Sequence, residues 1–217
     1  MAVDVGLRER KKQETAMRIS STAVSLFLQR GYDNVSIAEV AAESDVSKMT
    51  VFNYFPRKED LVLAGPAAHV EDTSRIVRER ASGESVVAAL RRVYLEELAQ
   101  RAPQTGLRDD LTKIVQLIMT TPALATGHRE IVGCGEEALA ATLARETGAN
   151  AGDIVPHVAA RQIIAIRQVL LEENFRRIAA GESADEIYPS AVAAAEQAFA
   201  MLASGLGDYC IRPTQKH

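Results

Sequence analysis

The sequence has no tryptophan, only two cysteines among its 217 residues, and 5% aromatic side chains. Cys134 and Cys210 stand far apart and neither belongs to a CxxC pair, which argues against a disulfide scaffold, a zinc cluster and a redox motif. The four histidines form no HExxH pattern. We therefore predict that the protein holds no metal and no other cofactor.

Long apolar runs are also missing. No stretch approaches the roughly 18 consecutive apolar residues of a membrane-spanning helix, and the first residues lack the apolar block of a secretory signal. These absences predict a soluble, cytoplasmic protein without a membrane partner. Phosphate-binding glycine loops and the nucleophile motif GxSxG are absent as well, so the sequence indicates that the protein is not an enzyme.

Alanine and the other strong helix formers dominate the sequence, while the alternation typical of strands is almost absent. This composition predicts an all-α fold of about nine helices. Gly65-Pro66 should interrupt the fourth helix, because a proline removes one of its hydrogen bonds. The predicted helices span residues 7–30, 36–44, 48–54, 58–80, 84–101, 106–119, 122–147, 153–180 and 184–204.

Two short predicted helices follow each other around residue 45. Ser36 and Glu39 match a capping box, and Ser47 is a typical N-cap of the next helix. Asp45 tolerates the left-handed backbone conformation that a tight turn between these helices needs. This is the helix-turn-helix arrangement, whose second helix fits the major groove of DNA. We therefore predict a DNA-binding domain over residues 1–60.

The second helix of this pair carries side chains that can contact bases. Lysine donates to guanine, asparagine pairs with adenine, and threonine or methionine contacts the thymine methyl group. Arg57 and Lys58 add positive charge and free N–H groups for a phosphate at the next helix start. Alternatively, Lys48 and Thr50 form an ordinary solvated face, and Tyr54 packs against the first helix. The predicted base contacts are Lys48, Met49, Thr50 and Asn53.

Net charge gives this prediction no independent support. Residues 1–60 contain nine lysines and arginines and nine aspartates and glutamates, and the whole chain has a net charge of −4. DNA binding therefore requires that the cations be segregated on one face of the domain. The residues that must line this face are Arg8, Arg10, Lys11, Lys12, Arg18, Lys48, Arg57 and Lys58.

The same region resembles the TetR family of bacterial transcriptional regulators. The resemblance rests on Gly31-Tyr32, on residues 36–41 (SIAEVA) and on residues 46–61 (VSKMTVFNYFPRKEDL), and it covers residues 8–63. Asp45 departs from the glycine usual in the turn, and Arg57 from the usual small polar cap. A finer similarity, to a branch with an acyl-CoA-like ligand domain, rests on Asn53-Tyr54-Phe55-Pro56, Thr121-Pro122-Ala123-Leu124 and Gly205-Leu206.

The resemblance implies a repressor that binds a palindromic operator in double-stranded DNA as a homodimer. A small, partly hydrophobic effector would then release it from the operator. Two other functions stay open on the residues alone: an enzyme with a vestigial helix-turn-helix, and a helical interaction module. The resemblance further implies contacts with the DNA backbone from Ser36, Ser47, Tyr54 and Lys58.

Residues 61–207 are predicted to form a helical domain for effector binding and dimerisation, followed by a flexible tail over residues 208–217. Apolar stripes on the last two helices form either the core of one subunit or a four-helix interface between two subunits. The resemblance favours the interface. The predicted dimer contacts are Ile166, Val169, Leu170, Ala191, Ala195, Ala198, Phe199 and Leu202.

Polar residues embedded in apolar helices are the candidates for an effector pocket. Buried polar groups need partners, so a neighbouring helix end or an ion pair is the alternative explanation for each of them. The predicted pocket residues are His128, Cys134, His157, Arg161, Arg167 and Gln168.

Overall fold

The computed structural model describes residues 6–213, except for the side chain of Leu7. All regular secondary structure in this range is helical, which confirms the predicted all-α class. Within the same range, no helix combines the length and the apolar character that crossing a bilayer requires. The α-helices are Leu7–Arg30 (α1), Ile37–Glu43 (α2), Lys48–Tyr54 (α3), Asp60–Ala67 (α4), Asp72–Glu79 (α5), Val86–Ala99 (α6), Thr112–Thr120 (α7), Pro122–Thr147 (α8), Val155–Ala179 (α9) and Ala184–Leu206 (α10), and short 3₁₀ turns lie at Pro103–Thr105 and Asp109–Leu111.

Serine caps fix the starts of four of these helices. In each case the serine hydroxyl accepts a hydrogen bond from the backbone N–H three residues later, which satisfies one of the free donors of the first turn. In α2 and α10 the glutamate three residues after the serine accepts a hydrogen bond from the backbone N–H of that serine, so the capping box predicted at Ser36 is confirmed. The capping serines are Ser36, Ser47, Ser85 and Ser183.

The described residues divide into two compact units. The first unit comprises the chain up to Ala67 together with Lys113–Arg129. Its core contains the predicted inner face of α1, and the hydroxyl of Ser20 ties α1 to α4 by donating to the carbonyl oxygen of Leu61 at 2.7 Å. Because α4 packs here, the unit extends beyond the predicted boundary at residue 60. The core residues of α1 are Ile19, Ala23, Leu26 and Phe27.

The second unit comprises Ala68–Thr112 and the chain from Glu130 onward. Its core lies where α6, α9 and α10 pack together. Tyr94 of α6 and Phe199 of α10 are both fully buried, and their ring centroids lie 5.7 Å apart. Aromatic pairs at this separation add to the stabilisation from buried apolar area, so this pair is a central contact of the second unit.

One predicted interruption is present, and one predicted helix differs from the structure. The fourth predicted helix is divided into α4, which includes Pro66 in its last turn, and α5, which begins at Asp72, as the Gly65-Pro66 pair predicts. The predicted helix over 106–119 is wrong in its first half, where Gly106 has a left-handed backbone with a φ of 71°. A Cβ atom at Gly106 would lie 2.5 Å from the carbonyl oxygen of Leu171, so the chain passes too close to α9 for any side chain.

Residues 208–213 of the predicted flexible tail are bonded to the second unit, whereas residues 214–217 lie outside the described range. The backbone of Arg212 accepts from the N–H of Gly83 at 2.8 Å and donates to the carbonyl oxygen of Glu84 at 3.2 Å. Arg80, which is 1% exposed, donates to the carbonyl oxygen of Cys210 at 3.0 Å and to Glu146 Oε2 at 2.8 Å. A buried guanidinium thus holds this segment against α5 and α8.

Candidate nucleic-acid interface

The helix-turn-helix is built as the local sequence predicts. α2 ends at Glu43, and Asp45 adopts the left-handed conformation, with a φ of 51°. The N–H of Val46 then bonds to the carbonyl oxygen of Ala41 at 3.0 Å, which closes the turn. Ser47 follows in an extended conformation and caps α3 by accepting from the N–H of Thr50 at 3.0 Å. The turn therefore forms with aspartate at the position where glycine is usual.

α3 has one buried face and one exposed face. Val51 is fully buried, and Phe55, directly after the helix, is 5% exposed. On the opposite side Lys48 and Asn53 are exposed, and Met49 has 69% of its surface in solvent. A donor, an amide and a thioether are thus presented together on one short helix, and these are groups that can contact base edges.

The side chains of Lys48 and Asn53 make no hydrogen bond or ion pair with any other residue that the structure describes. The ammonium of Lys48 lies 5.9 Å from the ring centroid of Phe52, one turn further on. Phe52 is itself 39% exposed and has no role in the prediction from sequence. Its i,i+4 spacing from Lys48 is the signal that could have identified it.

Lys58 is used within the first unit. Its Nζ donates to the carbonyl oxygen of Tyr32 at 2.6 Å, and it lies 4.2 Å from the ring centroid of Tyr32 and 5.3 Å from that of Phe27. The Tyr32 hydroxyl donates to Glu59 at 3.1 Å; burial first, and then this carboxylate, raise the pKa of Tyr32. The ammonium has further N–H donors besides the one bonded to Tyr32, so Lys58 has a structural role and remains a predicted phosphate contact.

The other predicted backbone contacts are exposed or half-buried. The Ser36 hydroxyl donates to Glu39 at 2.8 Å, and the N–H of Ser36 donates to the same oxygen and thereby lowers the pKa of Glu39. Arg57 is exposed and bonds to Asp60 through its guanidinium at 3.1 Å and through its backbone N–H at 2.9 Å. Tyr54 is half-buried, with its ring centroid 6.4 Å from that of Phe55. Arg57 and Tyr54 therefore remain predicted contacts.

The predicted effector residues differ in exposure and in their partners. Cys134, His157 and Arg161 are exposed, and the latter two lie 3.8 Å from Glu137 and 3.4 Å from Glu136. These polar contacts join α8 to α9 on the surface, and a partner on a neighbouring helix is the alternative explanation that the sequence left open. His128 and Gln168 are half-buried, and Arg167 is the candidate with a buried ion pair, to Glu97 at 3.0 Å.

A surface groove of about 320 Å³ lies between α6 and α10, and none of the six predicted pocket residues lines it. In the described part of the chain, no three His, Cys, Asp or Glu side chains are grouped closely enough to hold a metal ion. The groove is lined by Ser85, Val87, Ala88, Arg91, Glu196, Phe199, Ala200, Ala203 and Gly207.

Most of the predicted dimer contacts lie in the core of a single chain. Such side chains cannot contact a partner without unfolding the subunit, so the prediction is corrected for them. Val169 is 64% exposed, and Ile166 and Ala198 are half-buried, so these three remain candidates. The buried residues are Leu170, Ala191, Ala195, Phe199 and Leu202.

Comparison with known proteins agrees with this architecture. The model of the bacterial regulatory proteins of the tetR family matches residues 19–64, and the model of the MftR C-terminal domain matches residues 84–181. The chain belongs to the TetR family. The first match covers the helix-turn-helix described above, and the second covers α6 through α9.

Individual TetR-family proteins match to different extents. The regulator YuxN of Bacillus subtilis is 36% identical over 81 residues, 37% of this chain and 28% of YuxN, so less than a third of that relative is covered. MftR of Mycobacterium tuberculosis is 23% identical over 72% of this chain and 78% of MftR. The structure of FadR from Bacillus subtilis with stearoyl-CoA shares the fold, with a TM-score of 0.52, 19% identity and coverage of 87% of this chain and 98% of FadR.

Proposed function

We propose that the protein is a transcriptional repressor that binds operator DNA through α3 and is released by a small-molecule effector. The observation that carries this proposal is the exposed face of α3. Lys48, Met49 and Asn53 stand on it without a structural role inside the described protein, while Val51 anchors the other face in the core. Polar side chains that the fold does not use are available to read base edges.

The second unit would hold the effector, and the protein would act by binding rather than by catalysis. The FadR neighbour carries stearoyl-CoA, a ligand with a long apolar part. We propose a partly hydrophobic effector here as well, since the core of the second unit is built from apolar faces of α6, α9 and α10. An effector that prefers a subunit arrangement unable to span two major grooves would shift the population away from DNA.

We also propose that the repressor is a homodimer, joined through the outer faces of α9 and α10. Val158 and Val169 on α9 are 46% and 64% exposed, and Met201 on α10 is 68% exposed. Val158, Ala165 and Val169 recur at helical spacing along one exposed stripe of α9. Two such helices from each subunit form a four-helix interface, and the subunit's own core residues need not take part.

DNA binding is tested by gel shift and footprinting with duplexes from the region flanking its own gene, at low ionic strength. We expect one protected palindromic site. The double variant Lys48→Ala/Asn53→Ala should bind it about 100-fold or more weakly, because each good base contact contributes about 1–3 kcal/mol. Lys113→Ala removes the same charge from α7 and should bind like wild type. Operator binding by the double variant equal to that of wild type would refute base recognition by α3.

Dimerisation is tested by light scattering on a size-exclusion column. We expect the wild-type protein to elute as a dimer and Val169→Asp to elute as a folded monomer, because a carboxylate would have to be buried in the interface. Met17→Asp is the matched control, since Met17 is 63% exposed on α1, in the other unit. A dimeric Val169→Asp protein would show that the interface lies elsewhere.

A further inference from the structure

Several buried hydrogen-bond donors of the second unit have no partner among the described residues, and two of them belong to neighbouring side chains, Tyr94 and Arg167. Tyr94 of α6 is fully buried, and its hydroxyl has no hydrogen-bond partner among the described residues. The guanidinium of Arg167, on α9, lies beside the ring of Tyr94, with its Cζ 5.3 Å from the ring centroid. Its Nη1 is also buried and likewise has no partner in the described part of the chain.

The charge of Arg167 is balanced by that of Glu97. Arg167 Nη2 donates to Glu97 Oε2 at 3.0 Å, and the side-chain amide of Gln104 donates to Glu97 Oε1 at 3.0 Å. The side chains of Arg167 and Glu97 are 11% and 12% exposed, so the ion pair is nearly buried but touches solvent at its edge. The guanidinium and the carboxylate neutralise each other, and the two unused donors add no charge.

Unused buried donors weaken a fold, because such groups lose their bonds to water and gain none in return. Phenylalanine has nearly the same shape as tyrosine and would avoid this penalty at position 94. Burial raises the pKa of Tyr94, with a further increase from Glu97 that Arg167 opposes. The phenol therefore keeps its proton and remains a donor at neutral pH.

We infer that the Tyr94 hydroxyl and Arg167 Nη1 anchor the uncharged acceptor oxygen of a largely apolar effector, such as a carbonyl oxygen. This inference rests on the proposed function and adds the ligand chemistry. An uncharged oxygen fits because the Arg167–Glu97 pair is neutral, and a buried carboxylate would leave one charge unbalanced. The apolar part fits because the ring of Phe199 lies 5.7 Å from that of Tyr94, and Leu98 is fully buried in the same core.

The first test measures thermal unfolding of the ligand-free protein. Tyr94→Phe removes the hydroxyl and keeps the ring, so we expect its Tm to equal that of wild type or to rise by about a few degrees. Tyr188→Phe is the control for loss of a phenol elsewhere in the same unit. A lower Tm for Tyr94→Phe alone would show that the hydroxyl is already bonded in the free protein, for example to water, and would overturn the inference.

The second test measures binding of 2-decanone and decanoate, which share a chain length but differ in charge, by isothermal titration. We expect 2-decanone to bind wild type at least about tenfold more tightly than decanoate. We also expect Tyr94→Phe to weaken 2-decanone binding by about tenfold, the effect of one lost hydrogen bond. No binding of 2-decanone, equal binding by the variant, or a preference for decanoate would each overturn the inference.

The gel shift with the wild-type protein separates this inference from the proposed function. If wild type binds its operator while 2-decanone binding does not depend on Tyr94, the anchor is wrong and the repressor stands. If 2-decanone binds through Tyr94 but no duplex is retained, the anchor stands and the regulatory role fails.

Discussion

Lys48 in the first unit and two arginines in the second unit show opposite uses of a positively charged side chain. In the first unit, Lys48 stands exposed on α3 with no ion pair to any described residue. In the second unit, Arg80 is 1% exposed and bonds to Glu146, and Arg167 is held by Glu97. An exposed cation without an ion pair, such as Lys48, is available to a partner, whereas the buried arginines hold helices and the end of the chain together.

The difference shows why side-chain type alone does not locate function. Arginines and lysines occur in both units, but their roles follow from burial and from the acceptors around them. Lys58 makes the point within the first unit, since it lies only ten positions after Lys48 in the sequence and is bonded to Tyr32. Substitutions at core, buried-cation and exposed positions test this division.

Phe199→Ala should destabilise the second unit more than the other substitutions. The side chain is 1% exposed and packs against Tyr94, so truncation should lower the free energy of unfolding by about 3–5 kcal/mol, as measured by urea denaturation. Ile154→Ala, at a side chain of the same unit that is 70% exposed, should lower it by less than about 0.5 kcal/mol. Equal losses would contradict the assignment of Phe199 to the core of one chain.

Arg80→Met should lower the free energy of unfolding by about 3 kcal/mol, because it leaves Glu146 and the carbonyl oxygen of Cys210 without their buried partner. Hydrogen exchange should also become faster at the N–H of Arg212, which bonds to Glu84 in the structure. Arg78→Met is the control, since the side chain of Arg78 is 43% exposed. Unchanged exchange at Arg212 would show that Arg80 does not hold the end of the chain.

Lys58→Met and Lys48→Met separate the two kinds of lysine within one unit. Lys58→Met should lower the free energy of unfolding by about 1–2 kcal/mol, because the bond to Tyr32 and the contacts with two aromatic rings are lost. Lys48→Met should leave stability within about 0.5 kcal/mol of wild type and weaken operator binding by about tenfold. Normal stability with weakened DNA binding for Lys58→Met would show that Lys58 contacts DNA and that its bond to Tyr32 adds little stability.

Glu84→Gln should produce the smallest effect, and one that depends on pH. Hydrogen bonds from Arg92 at 3.0 and 3.1 Å, together with one from the N–H of Ala81, lower the pKa of Glu84. A lowered pKa means that the ionised carboxylate stabilises the folded state above its ordinary pKa, and that this stabilisation is lost as the pH falls through the lowered value.

The difference in free energy of unfolding between wild type and Glu84→Gln should therefore be about 1 kcal/mol at neutral pH and vanish in acid. Urea denaturation across the acid range measures it. Glu96→Gln is the control, because the Glu96 side chain is 57% exposed and lies 3.6 Å from the same arginine. A difference that persists in acid would show that the charge of Glu84 is not its source.

Local signals predicted the first unit well. The capping box at Ser36, the N-cap at Ser47 and the turn at Asp45 all lie where the sequence places them, because each depends on residues within a few positions of one another. The structural bond of Lys58 was not predicted, since the acceptor belongs to Tyr32, 26 positions earlier. No periodicity within the helix could reveal that bond.

The second unit shows the opposite balance. Its helices were predicted from composition and periodicity, but the assignment of Ala195 and Phe199 to a dimer interface was wrong. An apolar stripe indicates that a helix face is buried, and it does not say whether the covering helix belongs to the same chain. Tyr94 was not among the predicted site residues, although its i,i+4 spacing from Leu90 and Leu98 marks it as part of a buried face.

The helical class, the caps and turn of the helix-turn-helix, and the polar face of α3 can be predicted without coordinates, because these follow from backbone preferences and side-chain chemistry over short distances. The packed fold is needed to show which lysine makes a structural bond, which stripe forms the core, and that Tyr94 and Arg167 lie together with buried donors that have no partner among the described residues. Those outcomes depend on groups that are far apart in the chain and meet only when the helices pack.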